Sequence, residues 1–559
     1  MAEHDLVIRG GEVVDGTGAP RRRADVAVRD GRITEVGEVD GSGRRELDAD
    51  GLVVAPGWVD IHTHYDGQAT WDPTISPSPW HGVTTVVMGN CGVGFAPVRP
   101  DRHEWLVALM EGVEDIPGTA LHEGITWEWE SFPEYLDALA SSPKAIDVAA
   151  QVPHSALRGY VMGDRGAEHR VEPTPAEIEL MGRLAAEGVE AGALGFSTSR
   201  TVAHKSTDGR HTPSLTAGAD ELLGIARAVG ATGKGVFQAV ADLDDLTGEF
   251  ALLRSMAEVG RRPLSVTTLQ RPGQDVAAYR HLLELIDAAN HDGLEVRGQV
   301  AARPVGLLLS LQGTVHPLRP SPTFQALAAR PHAELVEELR RPEVRAAILE
   351  ELSAPGADLL EAFPPAFALG TPPRYDQRPE EAVGLAAAYD TLLAEDGTGI
   401  VYVPVMNYAG GDMAAVREML VHPRTVPGLG DAGAHCTMIC DASFATYLVQ
   451  YWTREAPEDQ RLPVEWIVQQ QAAATAAAVG LHDRGVLAPG RRADLNLLDL
   501  DRVAIASTEM LHDLPAGGKR LVQRAQGYEA TVVAGEVIRE GGKDTGALPG
   551  GLVRGAQGG

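Results

Sequence analysis

Cysteine is nearly absent from this chain: Cys91, Cys436 and Cys440 are the only three in 559 residues. So few cannot staple a fold of this size, which excludes a disulfide scaffold and suits a reducing compartment. The start, MAEHDLVIRG, has no basic segment followed by an apolar one, so the expectation is a cytoplasmic protein. Long hydrophobic runs are missing too. The nearest candidate, AAATAAAVGL, is alanine-rich and well short of the roughly 18 residues a membrane helix needs, so no membrane partner is expected. Lysine is scarce, and Lys and Arg together number 48 against 78 Asp and Glu, a net charge of −30. A field of that sign repels phosphate backbones; no nucleic acid is expected as a partner, which leaves a small-molecule substrate. The same charge also serves as a solvated acidic surface on a large enzyme.

What is present is ordinary globular material, 44% apolar and 23% charged, enough for a large folded core. Residues 5 to 56 read as short strands with Gly and Asp turns: DLVIRG, GEVVDGTG, ADVAVRDGRITEVG and GLVVAPG. From Pro56 strands alternate with alanine-rich amphipathic segments, as in VTTVVMGN, AIDVAAQVPH, PAEIELMGRLAAEGVEAG before ALGFSTS, ADELLGIARAVGATG before GVFQAVA, and PLSVTTLQ before AYRHLLELIDAAN. That alternation means a parallel sheet with crossovers, and a (β/α)₈ barrel is its economical closure. Proline-rich helical sequence interrupts the pattern from about residue 304 to 400, an insertion or lid over the catalytic face. The pattern resumes with GIVYVPVMN and TVPGLGDAGAH, and strands of the opening kind return after Gly485. The expected fold is therefore α/β: a composite β-sandwich from residues 1–56 and 485–559, with a TIM-type barrel at 57–484 inserted in it. An apolar face on the sandwich would suit a homo-oligomer.

His62-Thr-His64 follows the apolar stretch VAPGWVDI, so both imidazoles lie on one face at the C-terminal end of a strand. Barrels build their sites at those ends, and neutral imidazoles at that spacing suit Zn²⁺, although His-x-His also arises by chance in polar loops. Cys91 ends the next strand between Gly89 and Gly92 and could reach the same metal; the alternative is a buried small apolar residue. Asp431, in TVPGLGDAGAH, sits late enough to reach across to the first strand. It could touch the metal and take the proton of an activated water, or merely cap the next helix. His435 is a candidate for binding substrate or leaving group, or is simply a loop histidine.

LVIRGGEVVDGTG, GLVVAPGWVDIHTHYD, GNCG, HSALRG, GALGFSTS, GLGDAGAH and LHDRGVLAPGRRADLNLLD together resemble the amidohydrolase superfamily, and within it the N-acyl-D-amino-acid deacylase branch. The resemblance implies a barrel plus β-sandwich, a zinc-type metal, hydrolysis of an amide or cyclic amide, metal ligation by His62, His64, Cys91 and Asp431, and a catalytic role for Asp431. The branch also supplies two histidines at the ends of the fifth and sixth strands, where this chain has Val240 and Thr268. One zinc ion rather than two is the expectation. His154, His204 or His435 could be recruited as a further ligand, with His154 and His435 also candidates for binding substrate. A carboxylated lysine bridging two metals would have only Lys205 on the fourth segment, well past the strand end. The leading reading is deacylation of an N-acyl-D-amino acid. The alternatives are a lactonase, cyclic-amide hydrolase or deaminase on the same scaffold, or a weakly active binding barrel.

Overall fold

The computed structural model describes residues 3–271, 275–354 and 365–555. Residues 1–2 and 556–559 of the expected sandwich, and 355–364 of the expected insertion, lie outside the described residues.

Eight parallel stretches organise the centre: Trp58–Asp60, Val83–Met88, Asp147–Ala150 running on to Val152–Pro153, Gly195–Arg200, Val236–Ala241, Leu264–Thr267, Val296–Val300 and Thr425–Pro427. They pair in that order. The series meets itself where Thr63, just past the first stretch, bridges Ala432, just past the last, also in parallel. Strands covered on both faces are largely apolar, and Val83–Met88 and Val236–Ala241 are buried at every position, with Thr84, Thr85 and Gln238 as their polar exceptions. The intervening helices are set by local signals. In Pro175–Ala191 the Thr174 hydroxyl accepts from the Glu177 amide while Glu177 reaches back to the Thr174 amide, a reciprocal cap that stabilises by about 1 kcal/mol. Met181, Ala185 and Val189 then line its buried face, and Gly192, at φ +121°, ends it.

The stretch GIVYVPVMN does not resume this parallel series. Val401–Met406 pairs antiparallel with Val305–Leu309 and with Phe367–Ala368, inside the insertion. The seventh parallel strand is Val296–Val300, whose short run is interrupted by Arg297 and Gly298 and gives a weak sequence signal. The insertion has its own apolar core, with Leu309, Phe324, Leu339, Ile348 and Tyr389 in it. Its helical run is two helices, His332–Leu339 and Pro342–Leu352, because Pro342 can begin a helix but not continue one. Buried Arg303 ties the insertion down: its guanidinium meets Asp441 at 2.8 Å and lies 3.8 Å from the Tyr375 ring centre and 4.6 Å from that of Phe444.

Both chain ends share one nine-stranded sheet, joined where Val53–Pro56 runs antiparallel to Leu495–Leu498. Leu6, Ile8, Val26, Leu495 and Val532 pack in its core. Two C-terminal pieces leave it. The hairpin Ala504–Leu514 and Gly518–Gln526 is a separate two-stranded sheet, anchored by Gln523 to Tyr375 and Ser443 and by Arg520 to Ser76. The tail at 550–553 runs beside Asp147–Ala150, with Val148 donating to Gly551 at 2.9 Å and Val553 to Val148 at 2.7 Å. Asp147 joins the two regions: its carboxylate accepts from Arg484 at 2.6 Å and Arg492 at 2.9 Å. No helix among the described residues is long and apolar enough to cross a membrane.

Candidate metal centre

The parallel bridge at Thr63 carries the first strand's alternation onward, so the Thr63 hydroxyl turns to the Val87 carbonyl while His62 and His64 turn inward. Both histidines are buried, with ring centres 5.6 Å apart. His62 Nδ1 lies 2.6 Å from Gln299 Oε1, an oxygen that can only accept, so the proton sits on Nδ1 and the Nε2 lone pair is free. Gln299 is itself held, donating to Ser265 at 3.0 Å. His62 Nε2 then faces Cys91 Sγ at 3.3 Å and Asp431 Oδ1 at 3.3 Å. His64 Nε2 lies 3.5 Å from the same Asp431 oxygen.

Cys91 stands in a left-handed turn, φ +54°, between Gly89 and Gly92, also at positive φ. A Cβ on Gly89 would fall 2.2 Å from the Gln151 carbonyl, so only glycine brings the turn this close. The Cys91 amide donates to Gln238 at 2.9 Å and the Gly92 amide to Ser197 at 3.0 Å. Side chains on two other strands thus fix the thiol's position. Burial pushes the thiol up to about 12, so it ionises at neutral pH only beside a cation.

Asp431 lies in a loop with three non-glycine residues in the left-handed region, Leu429, Asp431 and His435, at φ +62°, +42° and +48°. Such backbone costs about 1–3 kcal/mol per residue and persists where the surroundings over-determine it. The Asp431 amide donates to the His62 carbonyl. The next helical turn begins only at Asp441, so Asp431 caps no helix. Burial disfavours its charge, but the neighbouring imidazoles, His64 first and then His62 and His435, outweigh that and hold the carboxyl below the usual range. Its Oδ1 is nevertheless buried without a well-formed hydrogen bond.

The donor atoms of His62, His64 and Cys91 all lie within 4.8 Å of one another. Two imidazole nitrogens, a thiol sulfur and an under-satisfied carboxylate oxygen are the set zinc takes, so these residues fit the ion. Val240 lines the adjoining cavity, as a fifth-strand residue in a ligand's place would. On the sixth strand the facing residue is Thr267, not Thr268, whose hydroxyl bonds the Val266 carbonyl. Alternation along a strand makes that one-residue difference a change of face.

His154 is not part of this centre. Its ring is buried between Thr198 at 2.9 Å and Glu221 at 3.0 Å, and Glu221 also pairs with Arg158, so both of its ring nitrogens are engaged in a buried network of their own. His435 and His204 do face the cavity; His204 is bound to Ser199 at 3.0 Å. Lys205 lies in the following turn, paired with His211. Three polar neighbours were not legible in the sequence: Gln299, Gln238 and Glu114. The glutamines sit inside strands, and Glu114 ends the helix His103–Glu114, so none forms a motif with the candidate ligands it faces.

The cavity holds about 310 Å³. Val113, Val240, Leu269, Val305, Leu307 and Met406 give it apolar walls, to which the insertion contributes through both its long strands. Arg271 brings a guanidinium to the lining, tied to Asp242 at 2.7 Å and to the Ala241 carbonyl.

Residues 45–539 match the model of the Amidohydrolase family. The chain is 29% identical over 517 residues to an N-acyl-D-glutamate deacylase of Alcaligenes xylosoxydans xylosoxydans, covering 90% of this chain and 89% of that one. To a D-aminoacylase of the same organism it is 35% identical over 292 residues, 51% of this chain and about half (54%) of the relative's length. Among solved structures, it is similar to an N-acyl-D-glutamate deacylase from Bordetella bronchiseptica complexed with zinc and a phosphonate mimic of the tetrahedral intermediate, at 25% identity, TM-score 0.65 and 99% coverage of both chains. It is also similar to a D-aminoacylase with a binuclear metal centre, described by one-metal activation and second-metal attenuation, at 25% identity and TM-score 0.67 over 99% of this chain and 100% of that one. With the family match running over most of its length and the fold shared from end to end, this chain belongs to the amidohydrolase family.

Proposed function

We propose that this protein is a zinc-dependent hydrolase that deacylates N-acyl-D-amino acids, built as a (β/α)₈ barrel in a composite domain made of both chain ends. The observation that carries the reading is the convergence of His62 Nε2, His64 Nε2, Cys91 Sγ and Asp431 Oδ1 beside one cavity. Those four residues would hold the ion. Zinc bound there supplies a Lewis acid for the scissile carbonyl and a water of lowered pKa. Gln299 keeps the His62 proton on Nδ1 and its lone pair inward. Asp431, reaching both the ligands and the cavity, accepts the water's proton on its carboxylate and returns it to the leaving nitrogen. The insertion supplies apolar walls on one side of the cavity, and Arg271 meets the substrate carboxylate.

One ion per chain fits this donor set, because Val240 and Thr267 offer the fifth and sixth strands no strong ligand. Elemental analysis of the purified protein is expected to give about one zinc per chain, and chelation to abolish turnover until zinc returns. Two tightly held ions per chain would overturn the single-site reading; no metal and undiminished turnover would overturn the zinc reading itself.

The apolar walls favour an apolar D-residue over an acidic one. Burying a second carboxylate without a partner is costly, so N-acetyl-D-leucine is expected to exceed N-acetyl-D-glutamate in kcat/KM by about 10-fold or more, with the L-enantiomers poorer still. A preference for the glutamate derivative would reverse this assignment.

A further inference from the structure

Glu114 closes the helix His103–Glu114 and is buried, with 1% of its surface exposed. Its carboxylate stands between two imidazoles: Oε1 lies 3.4 Å from His64 Nδ1, and Oε2 lies 3.7 Å from His435 Nε2. Oε1 and Nδ1 are both buried, and neither makes a hydrogen bond among the described residues, so each faces the other at ion-pair distance. The backbone repeats the link, since the His435 amide donates to the Glu114 carbonyl. Asp115, at φ +49°, extends it, accepting from the Thr437 amide at 3.2 Å and hydroxyl at 2.9 Å. The helix end is therefore stitched to the strained loop that carries Asp431 and His435.

We propose that Glu114 is a positioning residue whose single carboxylate orients His64 through Nδ1 and His435 through Nε2, setting a metal ligand and a cavity-facing imidazole together. This rests on the reading of His62, His64 and Cys91 as a zinc site. An ordinary buried helix-end glutamate would be satisfied by backbone or by a surface cation; this one faces two functional rings. A proton on His64 Nδ1, directed at Glu114, leaves the Nε2 lone pair facing Asp431, as Gln299 does for His62. Without Glu114, the His64 tautomer and ring angle are free to change, and His435 loses its fixed edge.

The test measures zinc dissociation constants by chelator competition on the full chain, with Tm alongside. Glu114→Ala is expected to weaken zinc binding about 10- to 100-fold. Glu114→Gln, nearly isosteric, is expected to keep the wild-type Tm and weaken zinc by a smaller factor, because its one oxygen can serve only one ring. Its kcat should fall with little change in KM, and its cobalt-loaded form should show shifted visible bands. A Gln variant with wild-type Tm, wild-type zinc affinity and an unchanged cobalt spectrum would overturn the proposal; so would a lowered Tm in either variant with zinc affinity intact, which marks a merely structural role. If Glu114→Ala does not fold, the Gln variant decides. Wild-type protein that binds no zinc would remove the metal reading and this inference together, whereas zinc-binding wild type beside an equally tight Gln variant removes only the role of Glu114.

Discussion

Asp431→Asn is expected to fold, to retain some zinc, and to lose about 10²- to 10⁴-fold in kcat, the usual contribution of a general base. Folding should survive because the substitution is nearly isosteric and leaves the bond from the residue 431 amide to the His62 carbonyl in place. Asparagine also tolerates the left-handed backbone at φ +42° better than most side chains, so no new strain is introduced. What disappears is the anionic oxygen shared by His62 Nε2 and His64 Nε2 and facing the cavity. An amide cannot take up the proton of water, and it is a poorer zinc ligand. Measuring kcat, zinc content and Tm on one preparation separates chemistry from folding. A variant with normal Tm and near wild-type turnover would remove Asp431 from the mechanism and make His435 the next candidate for the base.

Asp441→Ala should cost about 3–5 kcal/mol of stability, the range for leaving one partner of a buried ion pair alone. The affected partner is Arg303, 1% exposed, which among the described residues has no other carboxylate in contact and keeps the Ser443 hydroxyl and the faces of Tyr375, Phe444 and Tyr447. Aromatic faces attract a desolvated guanidinium by about 2 kcal/mol, which does not replace the anion. The guanidinium cannot escape by losing a proton. The reverse substitution, Arg303→Met, should cost less. Burial already pushes the Asp441 carboxyl up to about 7 even with the arginine's opposing charge beside it, so without Arg303 it takes up a proton at neutral pH and is buried neutral. Denaturant unfolding of both variants at pH 7 measures the asymmetry. Equal losses, or a larger loss for Arg303→Met, would show that the aromatic packing and not the charge pair holds the insertion down.

The sequence by itself determined the β-rich ends and the alternation of strands and helices between them, and it offered His62, His64, Cys91 and Asp431 as candidates. Each of these depends on local physics: period-2 burial, reciprocal helix caps, and side chains at the ends of apolar strands, where a barrel presents its site. Only the tertiary structure decided strand partners. An apolar run such as GIVYVPVMN pairs equally well in a parallel series or in the insertion, and the neighbour that covers it makes the choice. The hairpin at 504–526 left the terminal sheet for the same reason, as did the tail at 550–553. His154, which the sequence could not tell from a substrate-binding residue, is held by Glu221, 67 positions away. The one-residue difference between Thr267 and Thr268 is a question of face, fixed by register with the neighbouring strands. Gln299 and Glu114 were invisible because a ligand's supporting partner needs only the right direction in space. Gln299 is 237 positions from His62, and no sequence spacing encodes that contact; only the arrangement of the strands in space brings the two together.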